Sequence, residues 1–496
     1  MAIAKSTSRP AMSRLRISVL PLLAVLLVMA GCATRPVNPP ISEVNRNGGY
    51  RFATRQLYDD DKENLVVLAF SGGGTRAAAF SYGVLEELAR IEIVGAKGRK
   101  TRLLDEVDVI TGVSGGSFTA LAYGLYGDKL FDDYERRFLK RNVQGDLLSR
   151  FLSPSNWTAL WSNGWGRSEM AAQMYDDILF NGATFGDLDR GDGPLIMATA
   201  TDISTGSRFT FVQSEFDIIC SNLDAVPLSR AAAASSAVPL VLSPVTFNNY
   251  GGTCNYQWPS WATVLMEPGK RVRPAGRSLQ RLKELEALQD GAARPYIHLV
   301  DGGISDNLGM RGVLEALEEL EAVRGLRRHT RLDDVRRMIV FVVNSLSVPK
   351  TNWDQNERPP NDVAILLKAT GVPIDRNSYE AVELLKDIVA RWKTLRQVRE
   401  LQGFKVGANG SLRELADVPD VEIYPIDVSF PALEDPAEFD YLNNLPTSFV
   451  LSDDAVDRLR AAAGTIILNS PEFQRLLKDT GARVVPPSEA PPPARK

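Results

Sequence analysis

Ser114 stands in Gly112-Val113-Ser114-Gly115-Gly116, a G-x-S-x-G pattern set between a strand-like apolar run and a helical one. Glycines at 112 and 115 permit the tight turn that lifts a hydroxyl clear of the backbone, and the helix N-terminus that follows favours negative charge arriving there. A serine hydroxyl is a poor nucleophile until a neighbouring base takes its proton. The chain has 2 histidines. His298 lies inside the apolar run Tyr296 to Val300, on the face opposite the one Asp301 would take, and reads as a packed or surface side chain. His329 lies in the basic run Arg327-Arg328-His329-Thr330-Arg331 and reads as part of a solvated loop. Asp301 follows its apolar run at the head of Asp301-Gly302-Gly303, a position that in a parallel sheet falls on the ligand edge. A Ser114/Asp301 dyad therefore fits the inventory better than a serine-histidine-aspartate triad.

A second glycine turn, Ser71-Gly72-Gly73-Gly74-Thr75-Arg76, follows another apolar run and opens another helix. Backbone N–H groups at Gly72, Gly73 and Gly74 can converge on an oxyanion, while the Arg76 cation either holds the turn or draws in an anionic substrate. The same residues satisfy a dinucleotide fingerprint, Gly72-x-Gly74-x-x-Ala77, but no acidic residue clearly ends a second strand about 20 residues on, Glu92 being the nearest candidate. No Gly-Lys-Ser/Thr is present for a phosphate-loop nucleotidase.

The elements that must position these residues alternate. Strand patterns at 65–70, 107–111, 195–200, 208–212, 296–300 and 338–343 are interleaved with helical patterns at 76–88, 118–126, 169–180, 279–288 and 309–323. That order predicts an α/β fold with a mostly parallel central sheet covered by helices. Beyond it, 344–373 reads as irregular, 376–401 as one long surface helix, 421–428 as a strand, and 453–463 and 471–477 as short helices.

Composition sets further bounds. The chain has 496 residues, 44% hydrophobic and 24% charged, so it can bury a large core and is no disordered polymer. A net charge of -4 argues against a dedicated nucleic-acid binder, and 3 cysteines with 2 histidines exclude a Cys/His-rich zinc site. The chemistry proposed for Ser114 requires no metal and no organic cofactor. At the N-terminus Lys5, Arg9, Arg14 and Arg16 precede the apolar run Ile17 to Ala30, too short for a comfortable bilayer span, and Gly31-Cys32 follows. Val28-Met29-Ala30-Gly31-Cys32 resembles a bacterial lipoprotein signal, which implies lipid on Cys32 and, with Ala33 after it, a place in the outer membrane. Removing residues 1–31 takes away four positive side chains, so the mature charge is -4 minus 4, or -8, and a polybasic grip on lipid is not expected. Cys220 and Cys254 then remain, either as a disulfide or as two buried thiols.

The ordered motifs resemble those of the patatin-like phospholipase family. Ser71 to Arg76 is similar to its oxyanion loop, Gly112 to Gly116 to its nucleophile elbow, and Asp301 to Gly303 to its catalytic Asp-Gly-Gly. Arg230 to Pro239 resembles its Ala/Ser-to-Pro block, and Ala200-Thr201-Asp202 its interior strand motif. The resemblance implies a three-layer patatin-like α/β hydrolase-type fold over 62–345, with Ser114 and Asp301 catalytic, Gly72, Gly73 and Gly74 forming the oxyanion hole, and Arg76, Gly112 and Gly115 supporting. The remaining divisions are a signal at 1–31, a tether at 32–61, a mainly helical extension at 346–480 packed on the core, and a Pro-rich tail at 481–496. Trp157, Trp161 and Trp165, and again Trp258 and Trp261, either meet lipid at an interface or pack over the core. The expected reaction is hydrolysis of phospholipid or lysophospholipid esters by a membrane-tethered enzyme. A thioesterase or general carboxylesterase would share the machinery, and a noncatalytic envelope interaction protein is the reading from another class.

Overall fold

The structure, a computed structural model, describes residues 34–55, 63–94, 100–157, 165–267, 275–323, 335–351, 353–401 and 419–486. The expected signal segment, Cys32, Trp161, His329 and the end of the Pro-rich tail lie outside these residues.

Among the described residues there are eleven strands: β1 Asn64–Phe70, β2 Ile91–Val94, β3 Lys100–Arg102, β4 Val107–Val113, β5 Leu195–Asp202, β6 Ser207–Thr210, β7 Val245–Asn248, β8 Tyr296–Asp301, β9 Arg337–Asn344, β10 Glu422–Ser429 and β11 Arg483–Val484. Those used below among the helices are α1 Thr75–Leu88, α2 Gly115–Tyr126, α3 Val143–Leu152, α4 Arg167–Tyr175, α5 Leu228–Ser235, α6 Gly303–Asp306, α7 Asp362–Leu401, α8 Asp453–Asn469 and α9 Pro471–Thr480. The main sheet runs β10-β9-β1-β4-β5-β8-β7, with β6 also on β5. β1 is buried along its whole length, which requires helices on both faces and gives the three-layer α/β architecture.

Strands β10, β9, β1, β4 and β5 are mutually parallel, whereas β8 is antiparallel to both β5 and β7. The expected placing of Asp301 on the edge of a parallel sheet is thereby corrected. β5 continues past its partner β4, whose paired residues end at Val113 opposite Thr199. On β5, β8 pairs only with this overhang, Ala200 to Asp202, so Asp301 stops opposite Ala200. Reversed strand direction thus delivers the carboxylate to the same level as the residue that follows Val113.

The C-terminal region is built into the core. β10 extends the central sheet in register with β9, and α8 lies along α1 so closely that a Cβ on Gly83 would come 2.6 Å from the Arg460 Cα. β11 pairs with β2, so ordered chain continues into what reads in sequence as tail. α7 begins well before residue 376, where Asn361 caps its start through the Ala364 N–H, and it runs on through Pro373. At the other end of the chain the expected tether is docked from its first described residues: Asn38 is buried against Ser221 and Asn248, and Arg51 forms a buried ion pair with Asp217. Cys220 and Cys254 are joined in a disulfide.

Candidate active site

β4 ends in the glycine turn and hands the chain to α2 through Ser114, which adopts φ 47 and ψ -118. A positive φ costs a residue bearing a Cβ about 1–3 kcal/mol, so surrounding contacts must impose it. They are present. The Ser114 N–H donates to Ser235 Oγ at 2.9 Å, and the Ser114 carbonyl accepts from the Ser117 hydroxyl at 2.6 Å. A Cβ on Gly112 would lie 2.7 Å from the Ser117 Cα, and one on Gly115 would lie 2.0 Å from the Gly74 carbonyl oxygen. The two expected supporting glycines are therefore where the elbow folds back on itself and where it touches the other glycine turn.

The Ser114 hydroxyl donates to Asp301 Oδ2 at 2.8 Å, and both side chains are buried. The other carboxylate oxygen accepts from the Gly303 N–H at 2.8 Å, which fixes the orientation of the carboxylate. The Asp301 N–H donates to Ala237, the Gly302 N–H to Ser235, and the Asp301 carbonyl accepts from the Thr201 hydroxyl at 2.9 Å. Burial pushes the Asp301 carboxyl up to about 6, and the hydrogen bonds from Gly303 and Ser114 work against that rise. His298 does not enter: it faces Thr246, with Nδ1 3.0 Å from its hydroxyl.

The loop 71–74 lies across the elbow. A Cβ on Gly72 would be 3.4 Å from the Ser114 Cβ, and positive φ values of 142 and 62 at Gly73 and Gly74 turn the chain there. The expected trio of oxyanion amides is narrowed, because the Gly72 N–H already donates to the Asn307 carbonyl at 2.9 Å. Among the described residues no backbone carbonyl takes the N–H of Gly73 or Gly74.

Arg76 holds the turn. Its guanidinium is buried and reaches the Ser345 carbonyl at 2.7 Å, the Leu445 carbonyl at 2.8 Å and the Thr447 hydroxyl at 3.1 Å, all of them neutral acceptors. Burial pushes it down to about 10, with the charge of Asp375 pulling the other way. A Cβ on Gly74 would strike the Ser448 carbonyl at 2.3 Å, so the segment 445–448 is the outer wall of the loop. Sequence reasoning missed Asn307, Ser345 and Thr447. Ser235 and Thr201 lay inside the two auxiliary motifs and were findable there. Arg230, from the same Ala/Ser block, forms a buried pair with Glu169 at 2.8 Å and anchors α5 to α4.

Of the aromatic candidates, Trp157 is half exposed, while Trp258 and Trp261 pack against buried apolar clusters, Trp258 edge-on to Tyr256. Trp165 is partly buried. Among the described residues no helix is long and apolar enough to cross a membrane.

Residues 68–314 match the family model described as patatin-like phospholipase. No curated protein matches the chain in sequence. Among solved structures, human GIVD cytosolic phospholipase A2 is similar at 12% identity and a TM-score of 0.43, over 91% of this chain and 69% of that one. The same protein in complex with methyl gamma-linolenyl fluorophosphonate gives 14% identity and a TM-score of 0.38, over 87% of this chain and 61% of that one. Overlap this distant transfers no residue role.

Proposed function

Residues 68–314 form a patatin-like phospholipase domain, and on that premise we propose that the chain is a lipid acyl hydrolase working through a Ser114/Asp301 dyad and an acyl-enzyme. The observation that carries this reading is the 2.8 Å hydrogen bond from the Ser114 hydroxyl to Asp301, made by a serine held at positive φ. Asp301 takes the hydroxyl proton as Ser114 Oγ bonds to the ester carbonyl carbon, and the carbonyl oxygen becomes an oxyanion facing the Gly73 and Gly74 amides. Collapse expels the alcohol, which receives the proton from Asp301. Water then attacks the acyl-serine, its proton passing to Asp301 and on to the Ser114 oxygen as the fatty acid leaves. A carboxylate raised to about 6 is a stronger base than an ordinary aspartate yet stays ionised at neutral pH, which suits it to the role.

Phospholipid and lysophospholipid esters are the substrate class, supported by the domain's family, and lipid on Cys32 is the proposed means of holding the enzyme at its substrate. The test is hydrolysis of phospholipid and of a short soluble ester by the parent chain and by Ser114→Ala. The expected result is free fatty acid from the parent and none above background from a folded S114A protein. Equal release by both would end the assignment.

A further inference from the structure

The route of the chain from residue 34 onward restricts how the molecule can sit on a membrane. Arg35 donates to the Thr246 carbonyl at 3.0 Å and to the Asn248 side chain, and its guanidinium lies over the Tyr296 ring at 5.7 Å. Asn38 treats the outer edge of β7 as a strand would. Its Nδ2 donates to the Asn248 carbonyl at 2.9 Å, and its Oδ1 accepts from the Asn248 N–H at 2.8 Å. The chain therefore leaves the body at β7, the terminal strand of the sheet. Cys32 is three residues upstream of Arg35, a reach of at most about 11 Å even fully extended. A lipid there would hold the β7 edge within about that reach of the bilayer.

The loop entering β7 is apolar and outward-facing. Leu240 and Val241 are 62% and 61% exposed, and Leu240 takes φ 73, a conformation unfavourable for a leucine. The loop is held on both sides. Ser243 accepts from the Ser168 N–H at 3.1 Å and from the Ser168 hydroxyl, while Ala237, just before the loop, accepts from the Asp301 N–H at 3.0 Å. It thus spans from the candidate catalytic aspartate to the strand where the N-terminal segment is clamped. Ser168 belongs to α4, against which α3 packs, and α3 exposes Leu148 and Leu152 one turn apart.

We propose that Leu240 and Val241 insert into the phospholipid bilayer that holds the Cys32 lipid, so that the site faces its own membrane. The proposal rests on the acyl-hydrolase and Cys32 readings above. The short span to residue 32 selects a bilayer as the occupant, and a mature charge of -8 makes apolar insertion, not attraction to anionic headgroups, the source of contact. A membrane so placed delivers ester to Ser114 without a soluble intermediate.

The test uses the full lipidated chain carrying Ser114→Ala, reconstituted on vesicles of phosphatidylethanolamine and phosphatidylglycerol. With Cys220 and Cys254 joined, Leu240→Cys supplies a single thiol for an environment-sensitive fluorophore, and Lys478→Cys on α9, beside β10 at the opposite sheet edge, is the control. Expected are a blue shift and quenching by bromolipid at 240, with water-like emission at 478. Water-like emission at 240 in the anchored chain, or equal quenching at both positions, overturns the proposal. In the active chain, L240S/V241S should slow vesicle hydrolysis at least about tenfold, the scale of two aliphatic side chains left unburied, with soluble-ester turnover unchanged. Undiminished vesicle hydrolysis also overturns it. Because the fluorescence arm uses an inactive protein, a failure of the hydrolase reading would show separately, as soluble-ester turnover that survives S114A.

Discussion

Asp301 concentrates the chemistry of the site into one titration. Its carboxyl is raised from 3.8 to about 6, chiefly by burial, so kcat/KM for a soluble ester should fall by one proton's slope as pH drops through about 6. The same shift sets a stability profile of definite sign. A folded state that holds the proton more tightly than the unfolded chain is favoured at low pH, and the advantage fades as pH rises from about 4 to about 6. The difference amounts to roughly 3 kcal/mol once the group is ionised in both states. Asp301→Asn removes that cost while removing the base. We expect D301N to be inactive yet to melt at a higher temperature than the parent near pH 8, the gap closing toward about pH 4. Paired melting curves across that range check it, and a D301N protein less stable than the parent at the alkaline end would contradict it. Ser114 and Asp301 could be chosen from sequence because each sits in a turn whose glycines announce it. The engagement of Gly72 by the Asn307 carbonyl could not, since a backbone contact leaves no mark on residue type.

Between elements, the glycine turn proposed to hold the oxyanion depends on an arginine whose three acceptors come from two later stretches of chain. Ser345 directly follows β9, and Leu445 and Thr447 belong to the loop before α8. Lysine keeps the charge but offers one nitrogen, so Arg76→Lys should leave buried carbonyls unsatisfied at about 1–3 kcal/mol each and let the turn drift. Its expected signature is a kcat lowered about tenfold or more with KM little changed, as befits a group acting on transition-state amides. Steady-state kinetics on folded R76K decide this, and a parental kcat would mean the clip does not set the turn. The sequence left two roles open for Arg76, and the structure favours the one that holds the loop. Strand and helix positions around Ser114 were legible from periodicity, but the direction of β8 was not, because an apolar hexamer reads alike in a parallel or an antiparallel neighbour. β7 escaped notice because a single four-residue alternation, Val245-Thr246-Phe247-Asn248, is short enough to arise by chance. α7 was cut short in the reading because Pro373 signals a break that this helix absorbs.

At the scale of the whole molecule, the matched segment 68–314 is not where the fold ends. β10 completes the sheet beside β9, α8 covers α1, and Arg460 on α8 pairs with Glu86 on α1 at 2.7 Å. Deleting 419–486 would bare the β9 edge and the apolar faces of both partners, so the shortened chain is expected to be insoluble or to lack a cooperative melting transition, as circular dichroism would show. A soluble, active product would refute the view that this region belongs to the core. The central claim remains that Ser114 is the nucleophile and Asp301 its base, and covalent capture by a fluorophosphonate probe tests it most directly. Intact-mass and peptide mapping of the full chain should find one adduct per molecule on Ser114, none in S114A, and much slower labelling in D301N. Labelling at another residue, or an S114A protein labelled as fast as the parent, would contradict the account.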